Sequence, residues 1–149
     1  MKALVVYDST YGNTEKAAEA LSAGPESGGV EVETLRVDAV RFNELSTVDL
    51  LCVGSPVHAW NASKPTKEFL ERLKDAHGVR GKKAFVFDTK AKSRLAGSAT
   101  GKIEKKLKDM SLTIVKPTAH TIVKGREGPL EESAEEAFKQ IGADLAKSL

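Results

Sequence analysis

Residues 2–14 read Lys2-Ala3-Leu4-Val5-Val6-Tyr7-Asp8-Ser9-Thr10-Tyr11-Gly12-Asn13-Thr14, and their order decides the fold. Lys2 to Tyr7 is a continuous apolar run rich in valine, the pattern of a central strand covered on both faces. A hydroxyl-rich turn follows. Thr14 to Leu21 then repeats apolar residues at helical spacing, with Ala17, Ala18 and Leu21 on one side. A strand that passes through a polar turn straight into a helix is the opening of a βα unit.

The rest of the chain repeats this alternation. Gly24-Pro25 and Gly28-Gly29 punctuate the end of the first helix. Val30 to Val37 alternates apolar and polar residues and reads as an edge strand. A short helix or turn is expected over Arg41 to Leu45, and a second buried strand over Asp49 to Gly54. Pro65 suits the first turn of a helix running to Lys74. Lys83 to Asp88 reads as the fourth strand and Ser98 to Met110 as the next helix. Leu112 to Val123 holds the fifth strand, interrupted or bent at Pro117. Leu130 to Leu149 closes the chain as an amphipathic helix. Five strands and about five helices, joined by right-handed crossovers, predict an α/β, doubly wound three-layer sandwich. Its five-stranded parallel sheet has the order 2-1-3-4-5, in one domain over 1–149. Such a sheet binds ligands at the carboxyl ends of its strands, near the switch point.

Composition narrows the class. At 149 residues, 40% hydrophobic and 30% charged, the chain can bury a sizeable core. It holds no apolar stretch near the ~20 residues of a membrane helix, and its N-terminus lacks a signal-peptide pattern. The expectation is a cytoplasmic protein with no membrane insertion. The lone Cys52 excludes disulfide and cysteine-metal frameworks and reads as a small buried hydrophobe. His58, His77 and His120 lie far apart, without metal-ligand spacing. The net charge is +2, but Gly78 to Met110 carries ten Lys/Arg against three Asp/Glu. That segment is either an anion-attracting face or a solvated one. Without aromatic interleaving it does not point to nucleic acid.

The turn after the first strand is an anion site on physical grounds. The first helical N–H groups lack internal partners, and the helix dipole adds positive potential. Ser9, Thr10 and Thr14 offer hydroxyl donors, and Gly12 permits close backbone approach. No Lys or Arg lies between residues 8 and 14, so a phosphomonoester fits better than a triphosphate, which calls for a Walker-type lysine and magnesium. The same residues can also be read as a simple helix cap.

Ser9-Thr10-Tyr11-Gly12-Asn13-Thr14 resembles the FMN-phosphate loop of flavodoxins: Ser/Thr, any residue, Thr or Tyr, Gly, any residue, Thr. The resemblance covers essentially the whole chain. It implies that these six residues wrap the phosphate of FMN. Gly54 is followed by Ser55, Pro56, Val57, His58, Ala59, Trp60 and Asn61, matching the second FMN loop. Trp60 there would stack on the isoalloxazine ring, its indole offering a broad π face. His58 either adjoins the flavin or is a loop histidine bonded to backbone. Asp88, Thr89, Lys90 and Gly97 match the third loop, at the pyrimidine edge of the ring.

Three departures from the family pattern bear on function. Electron-transfer flavodoxins are strongly acidic, whereas this chain places Lys90, Lys92 and Arg94 in the third loop. Positive charge there favours anionic reduced flavin and acidic partners. Many flavodoxins carry glycine just after the stacking residue; here Asn61 follows Trp60, predicting weaker stabilisation of the one-electron-reduced flavin. The third loop lacks a second aromatic, with Ser93 and Arg94 in its place, so one ring face is expected to be more open. The resemblance implies an FMN-dependent electron carrier between a reductase and an acceptor, with the cofactor supplying the chemistry and no catalytic acid, base or nucleophile from the protein. Two alternatives stay open: a small NAD(P)H:quinone or protoporphyrinogen-type oxidoreductase, and a cofactor-free interaction module on the same fold.

Overall fold

The computed structural model describes residues 1–92, 97–125 and 127–149. Strand β1 (Lys2–Tyr7) is buried from Ala3 onward and lies inside a parallel sheet. On one side it pairs with β2 (Glu31–Arg36), whose exposed and half-buried residues mark the sheet edge. On the other side stand β3 (Leu50–His58), with β4 (Asn61–Ala62) paired antiparallel to its end, and then β5 (Lys83–Ala91). The far edge is shared by β6 (Thr113–Ile114) and β7 (Ala119–Val123), both parallel to β5. The order β2-β1-β3-β5-β6/β7 is the expected 2-1-3-4-5 arrangement. The expected fifth strand is split in two with Pro117 between the halves, because proline cannot donate to the ladder.

Strand parity sorts the core into two layers. Leu4, Val6, Leu51, Val53, Ala84 and Val86 point to one face, beneath α2 (Lys64–Leu73), α3 (Thr100–Asp109) and the short 3-10 turns at Val37–Ala39 and Phe42–Thr47. Ala3, Val5, Tyr7, Cys52, Phe85 and Phe87 point to the other, beneath α1 (Asn13–Ser27) and α4 (Ala134–Ala146). The alternation follows from the period of two along each strand.

The last helix begins at Ala134 rather than Leu130, and three further boundaries that differ from the expected ones bear on packing or on the site. Of the two pairs expected to punctuate α1, Gly28-Gly29 ends it, since the helix runs to Ser27 with Gly28 as its cap, whereas Gly24-Pro25 lies inside it. Gly24 serves close packing instead: a β-carbon there would stand 2.3 Å from the Lys139 carbonyl oxygen of α4. Gly142 of α4 answers it, since its β-carbon would stand 2.0 Å from the Leu21 carbonyl oxygen. Second, β3 continues past Gly54 to His58, so most of the expected second loop is strand. Ser55 pairs with Asp88 and Pro56 with Thr89, after which Val57 and His58 turn back onto Ala62 and Asn61. Third, β5 extends three residues beyond Asp88, to Ala91. Among the described residues no helix is long and apolar enough to cross a membrane.

Candidate functional site

Every parallel strand delivers its carboxyl end to the same rim, and a cleft of about 720 Å³ opens there. Ser9, Thr10, Tyr11, Asn13 and Thr14 form one wall, and Pro56, Val57 and His58 from the end of β3 form the second. Thr89 to Lys92 and Val123 to Gly125, from the ends of β5 and β7, close it. The cleft thus straddles β1 and β3, where chain direction across the sheet reverses.

The first wall is an ordered turn. Gly12 N–H donates to Ser9 Oγ at 2.9 Å, and Gly12 sits at φ 88° just ahead of α1. Because Ser9 Oγ accepts that bond, its own proton stays free to donate toward the cleft. No side chain among the described residues caps α1, although Asn13 and Thr14 are buried. Its first N–H groups and the positive end of its dipole are therefore left to the cleft. Asn13 is anchored from behind, its Nδ2 donating to the Glu127 carbonyl at 3.1 Å. Thr14 Oγ1 lies 2.8 Å from Thr89 Oγ1, a buried bond that joins the first wall to the end of β5.

Asp88 and Ser55, both expected to touch a ligand, are occupied in holding the rim together. Asp88 is fully buried; its Oδ2 accepts from Ser98 Oγ at 2.9 Å and Ala99 N–H at 3.0 Å. Its Oδ1 lies 2.6 Å from His120 Nδ1 on β7. Ser55 is likewise fully buried: its Oγ accepts the Ser63 N–H at 3.0 Å, tying β3 to the start of α2.

The second loop is a two-residue hairpin turn. Ala59 and Trp60 take φ 49° and 69°, the two left-handed positions of a type I′ turn. The left-handed conformation thus falls on Ala59 and Trp60 and not on Asn61, which stands where many flavodoxins carry glycine. Asn61 pairs with His58 as strand, its Oδ1 accepting the Ala62 N–H at 2.8 Å. Trp60 is 54% exposed and rests on Gly97, outside the lining of the cleft. The aromatic groups on the lining are Tyr11, 46% exposed, and His58.

Two contributors were absent from the sequence reading. Arg36, at the end of β2, pairs with Asp8 at 3.2 Å and donates to the Ser9 carbonyl at 3.3 Å, pinning the turn from outside. Lys124 and Gly125 form a fourth segment of the rim. Both stand at carboxyl ends of parallel strands, so the predicted topology alone was enough to point to them. Ser93 and Arg94 lie outside the described residues. Among the described residues no group of three His, Cys, Asp or Glu could hold a metal ion.

Comparison with known proteins agrees with this geometry. The flavodoxin family profile matches residues 5–141. A flavodoxin of Aquifex aeolicus is 37% identical over 91 residues, covering 59% of this chain and 49% of that protein. A putative diflavin flavoprotein of Nostoc is 30% identical over 149 residues, 97% of this chain and 25% of that one. The chain thus spans about half the length of the first relative and a quarter of the second. A solved flavodoxin from the domain Archaea superposes with a TM-score of 0.84 at 28% identity, covering 99% of this chain and 98% of that one. With the profile spanning nearly all of the doubly wound sheet and the turn that opens α1, the chain belongs to the flavodoxin family.

Proposed function

We propose that residues 1–149 act as one FMN-binding domain that carries electrons between a reductase and an acceptor protein in the cytoplasm. The observation that carries this reading is the uncapped start of α1 facing a cleft at the β1/β3 switch point. The cleft suits the cofactor. Its volume lies within the usual range for small-molecule sites. Its first wall offers helix N–H groups and hydroxyls of Ser9, Thr10 and Thr14 to a phosphate. Bound FMN would supply one- and two-electron redox chemistry.

In this reading Ser9 to Thr14 hold the phosphate, and Pro56 to His58 and Thr89 to Lys92 flank the ring. Tyr11 and His58 are the aromatic surfaces nearest to it, with Trp60 and Gly97 forming the outer edge of the same rim. Lys90, Lys92 and Lys124 place positive charge beside the ring site and favour added negative charge there. The same charge makes the rim a place for acidic redox partners to approach. The match to flavodoxins supports a carrier over a quinone reductase, a protoporphyrinogen-type oxidase or a cofactor-free module.

Titration of the purified protein with FMN and with riboflavin tests the reading. FMN is expected to bind tightly and riboflavin far more weakly. Thr10→Ala combined with Ser9→Ala should erase most of that difference. Failure to bind either flavin would overturn the reading.

A further inference from the structure

Four of the ten cations between Gly78 and Met110 converge on one groove, with Lys67 of α2 and Lys74 at its C-terminal cap. It lies between α2 and α3, on the sheet face opposite α1 and α4, and measures about 840 Å³. Lys67, Lys74, Arg80, Lys102, Lys105 and Lys106 line it, with Asp109 as the carboxylate on its wall. Glu71 bridges it, its carboxylate 3.1 Å from both Lys74 Nζ and Lys106 Nζ. Those two bonds hold the Glu71 carboxyl below the usual carboxylate range, so it stays ionised and offsets part of the positive charge. Lys67, Arg80 and Lys102 have no ion-pair partner among the described residues. Ala76, Val79 and Met110 give the groove an apolar component.

We infer that this groove is the docking seat for an acidic, partly apolar segment of a redox-partner protein. The cations do not focus on one point, as a single phosphate would require. Lys67 and Lys74 are spread along α2 by about 10 Å at the helical rise, and α3 repeats the series on the facing wall. A row of carboxylates with apolar residues between them matches that spacing and that lining. Asn61 also lines the groove, and its strand partner His58 lines the cleft. A partner seated in it is therefore adjacent to the cleft rim, and long-range attraction along the groove would speed its encounter. The redox role of the partner rests on the FMN reading of the cleft; binding of an acidic segment does not.

The probe is a fluorescein-labelled ten-residue peptide carrying six glutamates and two leucines, followed by fluorescence anisotropy as NaCl is raised. The wild-type protein should bind it, and salt should weaken the complex. Lys67→Glu with Lys102→Glu should cost about tenfold or more in affinity, and Glu71→Gln should tighten binding by roughly twofold to threefold. Lys139→Glu with Lys147→Glu, on α4 and at its C-terminal cap across the sheet, should change it by less than about twofold. Equal losses in the two double variants, or none in the first, would overturn the inference. So would tripolyphosphate displacing the probe at lower concentration than unlabelled peptide, or a twelve-base-pair DNA duplex binding more tightly than the peptide. FMN titration of the same samples separates the two readings: peptide binding without FMN binding removes the flavin and leaves the groove.

Discussion

Gly97 lies flat beneath the indole of Trp60: a β-carbon at residue 97 would stand 2.4 Å from Trp60 Cε3 and 2.6 Å from Cδ2. With φ at 72°, Gly97 also holds a conformation that costs any other residue energy. Gly97→Ala is therefore expected to cost about 1–3 kcal/mol of stability and to push the indole off its seat. Trp60 is the one tryptophan in the chain, so its emission reports the displacement directly as a red shift. Unchanged emission together with an unchanged urea midpoint would mean that Trp60 does not rest on Gly97.

Ala59 and Trp60 both occupy the left-handed region in a turn type that usually carries Asn-Gly. A turn of this kind stores strain at the rim of the cleft. Asparagine tolerates the conformation better than alanine, so Ala59→Asn should raise stability by about 0.5–1 kcal/mol. Urea unfolding of the flavin-free protein measures the change. A loss of stability would show that the turn is held by contacts of the Ala59 methyl group rather than strained.

The fold was legible because β1, β3 and β5 are buried on both faces and announce themselves as apolar runs, while β2 alternates as an edge strand must. Helix ends were less legible, because Gly24 meets the local criterion for a terminator while its actual reason is a close approach to α4, some 115 residues away in sequence. The same limit applies at the site. Ser9 to Thr14 is a local motif whose turn is organised within itself. Asp88 resembles a ligand contact from its place at the end of a strand, yet its partners Ser98, Ala99 and His120 arrive from two other segments. Arg36 belongs to no local motif: its link to Asp8 and Ser9 joins two strands, so the strand order 2-1-3-4-5 points to it and the turn sequence does not.

The buried Thr14–Thr89 pair offers a test of how the walls are coupled. Thr89→Val leaves the Thr14 hydroxyl buried without this partner and should cost about 1–3 kcal/mol, and Thr14→Val should cost a similar amount. The double variant removes both hydroxyls at once and replaces them with methyl groups of similar shape. It should be no less stable than the worse single variant, with a coupling of about 0.5 kcal/mol or more in a double-mutant cycle. Strict additivity in the flavin-free protein would show that the two hydroxyls act independently.

Cys52 is 1% exposed in the centre of β3, and burial pushes its thiol up to about 12 from an ordinary value of 9.0. The thiolate is the reactive form, so the native protein should resist Ellman's reagent at neutral pH and react stoichiometrically once unfolded in urea. The same shift fixes a pH dependence. Between about 9 and 12 the unfolded chain has released this proton while the folded chain keeps it. Stability then falls as pH rises, because the folded state binds more protons. In Cys52→Ala that contribution disappears, and the alkaline decline should be shallower than in the wild type, while the smaller side chain costs some stability at every pH. Parallel declines for the two proteins between pH 9 and 11, measured by urea unfolding, would show that Cys52 ionises in the folded protein as readily as in the unfolded chain.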